Sequence, residues 1–163
     1  MAKVVPLHVN RQSEQTQVRV GIDLRWSDVD NRACVNDASV VTLIGEARNR
    51  WLFGADAPTG MQKLDSVIIE LNVEYNRELQ FEDSPLDVAM WTDRVGTDDF
   101  TVVYEVRPAS SSADAAPAVT ATTRLLVVDY VTQHERRLTN AERDYLRQWQ
   151  RDPESSPRDG WTR

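Results

Sequence analysis

Two aspartates one residue apart, Asp28 and Asp30, stand just ahead of Cys34, Asn36 and Asp37. A loop carboxylate can attack an electrophilic carbon or take a proton from water. An Asp-x-Asp pair taken on its own more often serves turns and Asx hydrogen bonds. Cys34 is the only cysteine. A thiol ahead of a helix N-terminus can be acidified enough to accept an acyl group, but no histidine lies near it in sequence to act as base, and the preferred reading is a small buried residue. Glu46 lies on the helix that follows, where an ion pair or hydrogen bond at the helix edge is preferred. His8 falls in the N-terminal extension and His134 in a late turn, both read as solvated. One cysteine and two histidines are too few for a Cys/His zinc site, so no metal is expected.

The elements that must position these groups follow from periodicity. Val18, Val20, Ile22, Leu24 and Trp26 alternate with polar residues or glycine, which predicts a strand buried on one face. Asn36 can cap a helix running to about Phe53, with Asp37 in its first turn where negative charge suits the dipole. Val40, Leu43, Ala47 and Trp51 share one face of that helix, with Ile44 beside them. Gly54 is read as its stop, reaching the left-handed conformation cheaply. Four further strands are expected. The first runs from Val67 to about Phe81, with Ile69, Leu71, Val73 and Tyr75 on one face; the others are Leu86 to Val95, Phe100 to Arg107 and Val119 to Tyr130. Pro85, Gly96 and Asp98 mark turns, and Pro108 to Pro117 reads as a weakly ordered hairpin loop. Thr139 and Glu142 have capping-box spacing for a short helix whose apolar side is Tyr145, Leu146 and Trp149. The order predicts an α+β domain in which a curved antiparallel sheet wraps one helix.

The 163 residues suit a single domain, here 18–149, with an N-terminal extension at 1–17 and a disordered C-terminal tail at 150–163. A net charge of -7 opposes non-specific binding to nucleic acid or anionic lipid. The brief apolar run at Val4 to Leu7 is far short of a signal-peptide core or a spanning helix. With one cysteine excluding an intramolecular disulfide, a cytoplasmic protein bound to neither membrane nor nucleic acid is expected.

Arg25 to Leu52 reads RWSDVDNRACVNDASVVTLIGEARNRWL. This resembles the opening motif of the 4-hydroxybenzoyl-CoA thioesterase family of hotdog proteins, roughly D-x-D-x-x-G-H-V-N-N followed by a helix ending in E-A-R and an aromatic residue. Asp28, Asp30, Val35, Asn36, Glu46, Ala47, Arg48 and Trp51 match. The likeness extends through LNVEYNRELQFEDSPLDV and VVDYVTQHERRLTNAERDYL, covering most of Val18 to Trp149. It implies a hotdog fold of about five strands and hydrolysis of acyl-CoA thioesters without a further cofactor. It also implies a homodimer or homotetramer, with sheets joined edge to edge and sites between subunits.

In the family reading Asp30 is the nucleophile or base, with Glu46 as second choice, and Asp28 is loop architecture. The backbone amides of Asn36 and Asp37 polarise the carbonyl oxygen. The leaving thiol, with a pKa near cysteine's of about 8.5, needs little acid help. Cys34 would border the substrate. Arg77, Arg94, Arg124, Arg136 and Arg137 are the basic candidates for the phosphates of CoA, although for any one of them a solvated face or surface ion pair is the commoner role. Trp26, Trp51, Trp91 and Trp149 are read as core or subunit contacts. The family's Gly-His pair is Ala33 and Cys34 here, and its second asparagine is Asp37. That departure keeps a second reading open, a catalytically silent acyl-CoA binding protein. A hotdog dehydratase lacks its histidine, and a DNA-binding acyl-CoA sensor lacks a helix-turn-helix segment ahead of the domain.

Overall fold

The computed structural model describes residues 16–55, 57–58, 61, 64–112 and 114–151. In chain order they form β1 (Val18–Ile22), α1 (Asp37–Phe53), β2 (Asp65–Tyr75), β3 (Leu86–Val95), β4 (Asp99–Pro108), β5 (Val119–Val128) and α2 (Asn140–Arg147). The strands make one five-stranded sheet in the order β1-β3-β4-β5-β2, every pairing antiparallel. The expected α+β hotdog architecture is what the chain adopts: a curved sheet around one long helix.

Helix α1 begins where its cap dictates, the Asn36 side chain accepting from the Ala38 and Ser39 amides. Val40, Leu43, Ile44, Ala47 and Trp51 are all buried, and they join β1, β3, β4 and β5 in one core. Val40, Leu43 and Ile44 each contribute about 1.5–3 kcal/mol on burial. Gly54 ends the helix, but with φ -67 it is not left-handed. Its glycine is required instead because a Cβ there would collide with the Arg50 carbonyl.

The first strand stops at Ile22. Leu24 is still buried, whereas Trp26 sits in a 3-10 turn, 74% exposed, with its ring stacked on Phe81 at 4.2 Å. Strand β2 ends at Tyr75, short of the expected Phe81, because the Asn76 and Arg77 amides both donate to the Ala118 carbonyl and turn the chain. A register shift between Ile68 and Glu70 takes Ile69 out of the alternation and leaves it exposed. Leu71 and Val73 keep their expected place against the core.

The hairpin loop after β4 is better tied than its composition suggests. Arg107 Nε donates to the Ala115 carbonyl at 2.7 Å, and internal turn bonds join Ser111 to Pro108 and Ala115 to Ser112. Past α2, whose Thr139–Glu142 capping box forms as read, Gln150 and Arg151 are not frayed. Trp149 and Arg151 exchange backbone bonds with Thr92 beyond the end of β1, and the Arg151 guanidinium lies 3.5 Å over the Trp91 ring. Residues 152–163 and His8 lie outside the described residues.

Candidate active site

The loop between β1 and α1 is closed by its own backbone. Asn36 N–H donates to the Asp28 carbonyl at 2.9 Å, Asp30 N–H to the Cys34 carbonyl at 2.8 Å, and Ala33 N–H to the Asp30 carbonyl at 3.0 Å. The Asp30 carboxylate completes this turn: its Oδ1 accepts from the Arg32 amide at 2.8 Å and the Cys34 amide at 3.0 Å. The loop is also stitched to the segment after β2, through Val35 N–H to Leu79 O and Phe81 N–H to Ala33 O. Three parts of the chain thereby meet: the Asp30 loop, the first turn of α1 that directly follows it, and the distant segment after β2. Asp28 faces inward, buried, with Oδ2 accepting from the Arg25 amide at 2.7 Å, which is the architectural role expected of it.

Ala33 holds φ 60, a left-handed conformation that costs a residue with a Cβ roughly 1–2 kcal/mol. It occupies the position where the family motif has glycine. Ala33→Gly is therefore expected to stabilise the fold by about 0.5–1 kcal/mol, since glycine removes the strain at some entropic cost. A denaturant midpoint that stays the same or falls would show that the loop has no strain to release.

Where the three parts meet there is a cavity of about 760 Å³, lined among others by Asp30, Arg32, Cys34, Asp37, Tyr75 and Glu78. Asp30 Oδ1 is occupied by amides; among the described residues Oδ2 meets only Arg32, with Nε at 3.4 Å. The Cys34 and Arg32 amides and then the Arg32 guanidinium hold the Asp30 carboxyl below the usual carboxylate range, so it is an anion across neutral pH. Cys34 goes the other way: burial first, then the Glu78 carboxylate, push its thiol up. Its Sγ lies 3.7 Å from Glu78 Oε2. A thiol so placed is a filler, as read, rather than an activated nucleophile. The Tyr75 hydroxyl donates to the Asp37 carbonyl at 3.3 Å, and burial raises its pKa.

The helix N-terminus supplies fewer donors than the sequence suggests. The Asn36 amide is spent on Asp28, and the Ala38 and Ser39 amides on the Asn36 side chain. Among the described residues only the Asp37 amide of this turn is left without a partner. Of the two amides read as an oxyanion hole, Asp37's is thus the one still able to receive a developing charge.

The other predicted site residues are only partly gathered. Asn36 and Arg77 also line the cavity, but Arg77 is committed to the Glu78 carbonyl at 2.9 Å and Asp83 at 3.3 Å. Glu46 lies on the outer side of α1 in ion pairs with Arg25 and Arg50, its expected edge role. Arg94 and Arg124 do not reach the cavity; they share the buried Asp99. Arg136 is clamped to Glu142, and the exposed Arg137 is not among the cavity residues. His134 is exposed in its turn. Sequence reading missed Arg32, Tyr75 and Glu78. Only the placement of Tyr75 on one face of β2 with Leu71 and Val73 signalled any of them, and Tyr75 is itself exposed at the strand's end. Among the described residues no group of three or more His, Cys, Asp or Glu could hold a metal ion, and no helix is long and apolar enough to cross a membrane.

A five-stranded hotdog sheet with an aspartate loop at the N-terminus of its helix defines a class, and comparison places the chain within it. Residues 24–153 match the model of the thioesterase-like superfamily, and the chain belongs to that family. Similar solved structures include a predicted thioesterase from Bacillus stearothermophilus, 18% identical, covering 84% of this chain and 98% of that one at TM-score 0.68. A thioesterase from Thermus thermophilus, solved with coenzyme A and zinc, is 22% identical, with coverages of 79% and 90% and TM-score 0.63. The DHNA-CoA thioesterase of Staphylococcus aureus is 19% identical, with coverages of 82% and 88% and TM-score 0.64. At these identities the likeness is one of fold. No curated protein sequence matches the chain.

Proposed function

We propose that this protein hydrolyses acyl-CoA thioesters to the free acid and CoA, with Asp30 as nucleophile or general base, and needs no metal or further cofactor. The observation that carries the reading is one juxtaposition. Asp30, an anion whose Oδ2 is not taken by a backbone amide, lines the same cavity as Asp37, whose own amide has no partner among the described residues. Membership in the thioesterase-like superfamily supports it, as do structural neighbours solved with coenzyme A or named for a CoA thioester. As nucleophile, Asp30 Oδ2 bonds to the thioester carbon, the C–S bond breaks and CoA leaves as thiolate. Water then cleaves the mixed anhydride, returning the carboxylate and freeing the acid. As base, Asp30 takes a proton from a water whose oxygen attacks the same carbon, and the expelled thiolate takes up that proton. In either case the Asp37 amide faces the developing oxyanion.

Thiol release from a panel of acyl-CoA esters tests the reading. Equimolar thiol and free acid, accumulating over many turnovers, are expected. The silent binding protein is the second reading, favoured by the missing Gly-His pair and by Arg32 lying over Asp30. It predicts tight binding with no thiol release from any ester.

The site is proposed to lie between subunits of a homo-oligomer. Among the described residues strand β2 is hydrogen-bonded only to β5, which leaves the other edge of an 11-residue strand unpaired there, with Val67, Ile68 and Ile69 each more than 40% exposed. A long apolar edge of this kind is a template for strand pairing. Ile69→Arg is expected to shift sedimentation from oligomer toward the 18.6 kDa chain at micromolar concentration. A wild-type protein that already sediments as a well-folded monomer would contradict the proposal.

A further inference from the structure

The Arg32 side chain joins two walls of the cavity through charged groups on both. Its Nε lies 3.4 Å from Asp30 Oδ2 and its Nη2 3.4 Å from Glu78 Oε1, so the guanidinium spans from the β1–α1 loop to the segment that leaves β2. Both separations exceed the roughly 2.7–2.9 Å of a tight charge-assisted bond, and the side chain is 65% exposed. Arg77, the other cation lining the cavity, is held by the Glu78 carbonyl and Asp83.

We infer that Arg32 is a positioning residue for the proposed hydrolysis, anchored by Glu78 and holding Asp30 Oδ2 toward the space where a thioester carbonyl must arrive. The inference rests on the thioesterase reading. Oδ1 is fixed by two loop amides, and a carboxylate pinned through one oxygen can still rock about that anchor. Arg32 is what restrains the other oxygen. The charged and titratable groups around Asp30 are Arg32 and Cys34 from its own loop, Asp37 and Tyr75 across the cavity, and Arg77 and Glu78 beyond β2. Arg32 is the only one of them that both opposes the carboxylate in charge and bonds to it. Its removal should let the Asp30 carboxyl titrate at higher pH.

The test pairs a titration that needs no turnover with a kinetic one, both on the full chain. Carbon-13 NMR follows the Asp30 carboxyl, assigned by its loss in Asp30→Asn. Arg32→Gln should raise its titration midpoint by about half a pH unit or more and lower kcat about tenfold with KM within about threefold. Arg32→Lys restores the charge but not the fork. It should return the midpoint to within about 0.3 unit while kcat stays at least about threefold low, and it carries the test alone if Arg32→Gln does not fold. An unchanged midpoint and unchanged kcat in Arg32→Gln, with Asp30→Asn inactive, would overturn this inference alone. Full turnover in Asp30→Asn would overturn the thioesterase assignment of Asp30, and the positioning role with it.

Discussion

Asp30→Asn is expected to lower kcat at least about a hundredfold, roughly 2.7 kcal/mol of barrier, while fold, oligomer and CoA-thioester binding persist. An asparagine can keep the oxygen that accepts the Arg32 and Cys34 amides, so the turn survives. It cannot form a mixed anhydride, and it is a very poor base. Asp28→Asn should cost far less turnover, because that side chain is buried against the Arg25 amide and away from the cavity lining. Comparable losses in both mutants with a lower melting temperature would mean that the aspartates only hold the loop together. Full turnover in Asp30→Asn would move attention to Glu46, although its pairs with Arg25 and Arg50 argue for an edge role. The wild-type profile has a sign that follows from the lowered Asp30 pKa: kcat/KM should hold through the ordinary carboxylate range and fall only below it.

The second large effect is on stability. Glu142 is 1% exposed and makes two bonds to Arg136, at 2.8 and 2.9 Å, while its Oε2 also accepts from the Thr139 amide at 2.8 Å. Removing one partner of a fully buried pair costs about 3–5 kcal/mol. Because the Arg136 side chain is 23% exposed, Arg136→Gln is expected to cost about 2 kcal/mol, read as a lower denaturant midpoint with unchanged m. Burial pulls the Glu142 pKa up, but the Arg136 and Thr139 bonds outweigh it, and the net direction is down. A carboxyl lowered on folding stabilises the fold above its unfolded value, about 4.3. That contribution is lost as pH falls through the lower folded value, so the deficit of Arg136→Gln should shrink in acid. A variant as stable as wild type but with a raised KM for CoA esters would instead return Arg136 to the phosphate-binding role first considered for it.

Helix α1 was legible because its information is local. An asparagine cap, a first-turn acid and apolar residues at helical spacing specify its start, face and length without reference to the rest of the chain. The α2 capping box was readable for the same reason. Strand β2 was misread at both its middle and its end, since the Ile69 register shift and the turn at Asn76 depend on β5 and on the Ala118 carbonyl 42 residues further on than Asn76. The site divides along the same line. Asp30 and Asp37 could be named from a motif, but the capture of the Asn36 amide by Asp28 O is a closure invisible in spacing. Arg32 sits at a motif position open to any residue, and its significance appears only once Glu78, 46 residues away, lies opposite. Arginines counted along strands had no such partner in view, and most proved to be ion-paired elsewhere.

The most direct measurement is a crystal structure of Asp30→Asn with an intact acyl-CoA bound. The thioester carbon is expected about 3–3.5 Å from the substituted side chain, with the carbonyl oxygen toward the Asp37 amide at about 2.7–3.1 Å. A thioester bound with its carbonyl away from this cavity, for instance in the groove beside Glu46 and Ile68 on the outer side of α1, would contradict the assignment of the active site.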